Sequence, residues 1–172
     1  MKAQIWVETV VYTLIGLSII AVILALLTPK IQETKDKALI DQSISILDSL
    51  SRTVDDIKFS PGNSWPLQVK FDKGKFFIDG TTDEIYFLFD DSKIKYSEEG
   101  QEISRGKIKI KTTTLNRNTA VKLSLNYSKI LNITYKGKDE SHSFSSASLP
   151  YDLFIENVGK DPATNLTIIN VQ

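Results

Sequence analysis

Residues 5–27 read IWVETVVYTLIGLSIIAVILALL, and this stretch decides the architecture: 23 residues carry a single charge, Glu8. At 1.5 Å per residue an α-helix of that length is about 34 Å long, enough to cross the roughly 30 Å hydrocarbon core of a bilayer. A helix apolar on every side belongs in lipid or within a bundle, and the rest of the chain offers nothing thick enough to bury it as a soluble core helix. A secretory signal peptide has a shorter apolar run, about 7–15 residues, followed by a small-residue cleavage site. Here Thr28-Pro29-Lys30-Ile31 follows, with no such site. An uncleaved anchor fits better, although Lys30, Lys35 and Lys37 after the span against Lys2 before it would, by the positive-inside rule alone, keep the downstream part inside.

Glu8 has two readings. An acid within a spanning helix costs on the order of 2.5–3.5 kcal/mol at mid-membrane. It is therefore either solvated among lipid headgroups or neutralised by a buried cation. A free α-amino group, with an ordinary pKa of roughly 7.7–8.0, carries such a charge.

The N-terminus MKAQIWVETVVY resembles the archaeal class III signal peptide of type IV pilin-like proteins. The resemblance covers about the first 30 residues. In that family a prepilin peptidase cuts after a short basic leader and before the apolar helix, leaving Gln at the new N-terminus and Glu four residues later. Matched here, Lys2-Ala3 ends the leader, Gln4 becomes the N-terminus and Glu8 is the acid. This leader is shorter and less basic than is usual in the family, with Trp6 where many members have Ser and Tyr12 where many have Leu. The resemblance implies that the amine of Gln4 pairs with Glu8 of a neighbouring copy as the helix leaves the bilayer for a helical filament. The implied partners are other copies of the chain, the prepilin peptidase, an assembly platform with its ATPase, and the membrane before assembly. Such filaments serve adhesion, motility, uptake or secretion.

The whole chain has 172 residues, 21 Lys+Arg against 21 Asp+Glu, one His and no Cys. Its mean hydropathy of −0.12 averages two unlike halves. Without Cys, disulfide scaffolds, thiolate metal sites and cysteine nucleophiles are excluded. A balanced charge argues against a generic polyanion binder, so no nucleic acid is expected as partner.

After Pro29 the helical signal resumes. Pro29 either kinks one long helix or opens a second one capped by Thr28. Ile40, Ile44, Leu47, Leu50, Val54 and Ile57 then form one apolar stripe on a polar helix, ended by Pro61-Gly62. From Leu67 the period becomes two. Strands are predicted at 67–71, 75–79, 84–89, 93–96, 107–111, 121–127, 130–135, 151–156 and 165–171. Turns are predicted at Asp72-Lys73-Gly74, Asp79-Gly80, Glu99-Gly100, Lys136-Gly137 and Val158-Gly159. In Lys107–Lys111 the lysines should face water, with Ile108 and Ile110 inward. Ser141–Ser148, with five Ser, reads as a mobile loop.

The expected organisation is a leader at 1–3, a hydrophobic helix at 4–28, an amphipathic helix at 29–60 and an exposed β-rich head at 61–172. The fold class is α+β, with an antiparallel, β-sandwich-like head.

Three Asn-x-Ser/Thr triplets, at Asn126, Asn132 and Asn165, can accept N-glycans in an exported chain. His142 among Ser141, Ser143, Ser145 and Ser146 lacks the Gly-x-Ser-x-Gly turn of a nucleophile. The carboxylates of Asp79–Glu84 and Asp90-Asp91 lack calcium-loop spacing and read as turns. Phe71, Phe76, Phe77, Tyr86, Phe87 and Phe89 read as sheet packing, with base stacking a minor alternative. No catalytic residue, metal site or cofactor is assigned. The leading expectation is a filament subunit. The alternatives are a minor pilin or pseudopilin, and a non-polymerising single-span protein whose head binds a partner.

Overall fold

The computed structural model describes the backbone of residues 2–115 and 118–172 and the side chains of 6–114 and 119–172. One helix, α1 (Lys2–Ile57), runs unbroken for 56 residues, about 84 Å, with Pro29 inside it. Proline lacks an N–H, so the helical partner of the Ala25 carbonyl is lost, yet the helix continues through it. Val54 and Ile57 accept the last turn's amides from Lys58 and Ser60. The chain then enters a head in which the described residues form ten strands.

The strands are β1 (Ser64–Val69), β2 (Lys75–Asp79), β3 (Glu84–Ser92), β4 (Glu102–Arg105), β5 (Ile108–Leu115), β6 (Asn118–Asn126), β7 (Leu131–Tyr135), β8 (Ser141–Ser145), β9 (Tyr151–Lys160) and β10 (Thr167–Val171). They form a four-stranded sheet ordered β1-β9-β10-β7 and a six-stranded sheet ordered β4-β5-β6-β3-β2-β8. Among the described residues, every pairing between these strands is antiparallel except β7 with β10, where Ile133 lies opposite Ile169. That parallel pair departs from the antiparallel expectation. It is possible because the whole β8–β9 segment lies between the two strands in sequence and supplies the long crossover that parallel pairing needs.

The apolar stripe of α1 is the third layer of the core. Ile40, Ile44, Leu47, Leu50, Val54 and Ile57 are buried together with Phe76, Ile78, Ile85, Phe87, Ile110, Leu123, Ile133, Ile155 and Ile169. The helix touches β1 and β9 of one sheet and β3, β5 and β6 of the other, closing the seam between them. Ile108 and Ile110 point inward and Lys107, Lys109 and Lys111 outward, as the alternation requires. The two sheets also meet at β2 and β7. There a Cβ on Gly80 would lie 2.8 Å from the Ile133 carbonyl oxygen, so only glycine fits.

Three local expectations are corrected, and one strand was not foreseen. Ser141–Ser145 is an edge strand and not a loop: Phe144 pairs with Phe76 and is buried, while the serines face solvent. Residues 93–96 are not a strand, because the Ser92 hydroxyl bonds both the N–H and the carbonyl of Ile94 and folds the chain. Val158-Gly159 is no turn but a bulge in β9 against the Ile168/Ile169 step, with Gly159 at φ +111°. Strand β4, wholly exposed, carries no apolar pattern by which sequence could reveal it.

Candidate functional site

The first half of α1 is an exposed apolar surface. Sixteen large apolar side chains from Trp6 to Ile31 are 38–72% exposed. By length and composition this is one helix able to cross a membrane. Three of its hydroxyls are satisfied by the helix itself: Thr13, Ser18 and Thr28 donate to the carbonyls of Thr9, Leu14 and Leu24 at 2.7–2.8 Å. These groups therefore offer little to water and suit an apolar environment on all sides.

Glu8 is exposed one turn beyond Gln4, and among the described residues no cation pairs with it. The backbone of Lys2, Ala3 and Gln4 is helical. Met1 and the side chains of those three processing and assembly candidates lie outside the described residues.

The second half of α1 is fixed to the head by polar groups that periodicity does not reveal. Asp36 is buried at the point where the bare helix enters the head. Its Oδ1 accepts from Lys73 Nζ and its Oδ2 from the Lys93 amide, both at 2.7 Å. Lys73 also donates to the Asp91 carbonyl, and Lys93 Nζ to the Asp91 carboxylate. The hydrogen bond and charge of Lys93 hold the Asp91 carboxyl below its ordinary range. One turn on, Asp41 accepts from the Tyr96 hydroxyl at 2.7 Å. Partial burial and this carboxylate raise the Tyr96 pKa.

Near the helix end, Asp55 binds Lys58 and Lys107. Partial burial alone would raise its pKa, but the two ammonium groups bring it below the ordinary value. The last carbonyl, of Ile57, receives Nδ2 of the fully buried Asn157 at 2.7 Å, and Asn157 Oδ1 accepts the Gly159 amide. A strand side chain thus caps the helix C-terminus. Beneath the helix, the Tyr127 hydroxyl is buried without a hydrogen bond among the described residues. Burial pushes its pKa up to about 12, only partly offset by the facing Ser51 hydroxyl.

Sequence reasoning missed Asp36, Lys73, Asn157 and Tyr127. The one available signal was an acid, Asp36, on the same face as Ile40 and Ile44, a polar residue on the stripe that was to be buried.

The remaining candidates are dispersed. Phe71, Phe76, Phe87 and Phe89 are buried in the core and unavailable to bases, whereas Phe77 and Tyr86 stack on the outer face at 4.7 Å with Lys122 over Tyr86. Asp79 accepts from the amide and hydroxyl of Thr81 in its turn. Asp83, at φ +55°, accepts the Ile133 amide. Among the described residues no three of His, Cys, Asp and Glu are placed to hold one metal ion. His142 stacks on Tyr135 at 4.2 Å.

The three sequons differ sharply. Asn126 is exposed, but its Nδ2 bonds Glu84 and its Oδ1 holds the Ser128 hydroxyl. Asn132 sits within β7, and its Thr134 hydroxyl is buried on Asn170. Asn165 is exposed in a turn at φ +59°, with its side chain free of hydrogen bonds among the described residues.

The order of elements, a long apolar N-terminal helix followed by a β head, is consistent with a pilin-like architecture. Comparison with protein-family models, with curated proteins and with solved structures finds no match to this chain.

Proposed function

We propose that the chain is a structural subunit of an archaeal type IV pilus-like surface filament. The observation that carries this reading is a single helix that is bare and apolar over one half and built into the head over the other. Each well-buried Val, Leu or Ile contributes about 1.5–3 kcal/mol. Fourteen such side chains, together with Trp6 and Tyr12, left in water would cost far more than the few kcal/mol by which a domain is stable, so the bare half has a lipid or protein environment. Membrane insertion serves the precursor, and packing against the same half of neighbouring copies serves the polymer. The head supplies the outer surface.

In this reading the leader ends at Ala3, Gln4 becomes the N-terminus, and its amine neutralises Glu8 of an adjoining copy. Leaving one member of a buried ion pair alone costs about 3–5 kcal/mol, so only one axial offset between helices is tolerated. The peptidase and the assembly machine act on the helix, and no catalysis is assigned to the head.

The test combines processing and assembly. Protein sheared from the surface of its native cells should begin at Gln4. Glu8→Ala should still be cleaved but should lower filament yield at least tenfold. Wild-type yield from Glu8→Ala refutes the pairing. An intact Met1 on solitary molecules in detergent refutes the filament subunit and favours a single-span protein with a binding head.

A further inference from the structure

Beyond the end of α1 lies a groove of about 460 Å³. Its walls include Phe59, Ile130, Leu131 and Lys160, and its rim carries Asn165 and Thr167. Phe59 and Ile130 stay 82% and 63% exposed. The volume lies within the range of about 300–1,000 Å³ that small-ligand sites occupy. Two of the rim residues, Asn165 and Thr167, are the first and third positions of an Asn-Leu-Thr sequon.

We infer that Asn165 carries an N-linked oligosaccharide whose first sugars lie in this groove against Phe59 and Ile130. The reaction needs an accessible amide nitrogen and a sequon hydroxyl that is not locked away. Asn165 meets the first condition, being exposed with an unengaged side chain among the described residues. Thr167 is half-buried at the mouth of the groove, and no hydrogen bond holds its hydroxyl among the described residues. Asn126 and Asn132 each fail one condition, through Glu84 on the amide and Asn170 on the Thr134 hydroxyl.

In the transfer, Asn165 Nδ2 bonds the anomeric carbon of a lipid-phosphate-activated oligosaccharide. The carbon–oxygen bond to phosphate breaks, the lipid phosphate leaves with that electron pair, and the proton lost by the amide passes to the departing phosphate. The attached sugar then finds an apolar wall. Pyranose C–H groups carry partial positive charge and lie well on the negative face of an aromatic ring such as Phe59. Lys58 and Lys160 border the same groove and can donate to sugar hydroxyls.

The inference rests on export of the head, and the test separates the two. Protein is taken from the surface of its native cells, its N-terminal residue is determined, and the peptide containing Asn165 is analysed by intact-glycopeptide mass spectrometry. The expected result is a chain beginning at Gln4 with sugar on Asn165, lost in Asn165→Gln and Thr167→Ala and kept in Thr167→Ser. A chain beginning at Gln4 with a bare Asn165 overturns this inference and leaves the filament reading standing; Met1 with a bare Asn165 overturns both.

Seating in the groove is read from thermal midpoints of the full chain in detergent. Wild type should melt about 2–4 °C above Asn165→Gln, and the difference should vanish in a Phe59→Ala or Ile130→Ser background. An undiminished difference in both backgrounds overturns the seating. Loss of filaments in Phe59→Ala together with a bare Asn165 assigns the groove to a neighbouring copy and overturns the inference.

Discussion

Asp36→Ala should loosen the head from the helix at one end. The carboxylate accepts two hydrogen bonds at 2.7 Å, from Lys73 Nζ and from the Lys93 amide. Its side chain is 10% exposed and that of Lys73 35%. Hydrogen bonds to a charged group contribute about 1.5–3 kcal/mol each, and breaking a fully buried pair costs about 3–5 kcal/mol. Because Lys73 reaches water and can rehydrate, the expected loss falls below that upper figure, at about 2–3 kcal/mol. For a chain of this size that is a fall in Tm of about 4–12 °C. Denaturant unfolding of the full chain in detergent measures it. Hydrogen exchange locates it, with protection falling near residues 72–74 and 92–94 and unchanged in β9 and β10. A loss under about 0.5 kcal/mol, the level of a surface pair, refutes the lock. So does a Lys73→Met substitution that costs as much in the Asp36→Ala background as in wild type, since coupled partners cannot be additive.

Asn157→Ala should cost about 1–2 kcal/mol in the same denaturant assay, because the Gly159 amide loses its acceptor while the Ile57 carbonyl keeps only the Ser60 amide; a change near zero would show that water replaces the cap. Tyr127→Phe removes a buried hydroxyl that has no hydrogen bond, so it should be neutral within about 0.5 kcal/mol or stabilising. The folded tyrosine titrates near 12 against an ordinary 10, so it holds its proton longer than in the unfolded chain. Wild type therefore loses stability as pH rises from 10 to 12, and Tyr127→Phe should lose less, as alkaline unfolding curves will show. Partial burial first, then Asp139 and Asp79, raise the Asp83 pKa despite its bond from the Ile133 amide. Its stabilising, protonated state is therefore lost as pH rises past the folded value. Asp83→Asn keeps the acceptor and tolerates φ +55°, so thermal melts should show it more stable at pH 7 by up to about 1 kcal/mol, and less so near pH 3.

The parts of the fold legible in the sequence are those that repeat. The steps of three and four from Ile40 to Ile57 place one stripe in the core, and all six residues are buried. Lys107–Lys111 reads its own inside and outside. In β8, by contrast, Phe144 is the only apolar residue among serines, and a single residue makes no period. Residues 93–96 have strand composition, but the Ser92 hydroxyl and the Asp36 carboxylate claim their backbone. The apolar surface of α1 was evident from composition alone, because spanning helices are recognised by what they lack. Asp36 and Asn157 act on partners 37 and 100 positions away, and only the closed sheets bring those together.

The way α1 enters the head has a mechanical corollary. The buried stripe from Ile40 to Ile57 is about 26 Å long and belongs to the same unbroken helix as the bare rod. A tug on the rod therefore loads all six side chains in shear at once, where a hinged attachment would let them peel off one by one. Tension arriving along the rod would be met first by the Asp36 clasp, then shared down its length, with the turn after Ile57 feeling it last.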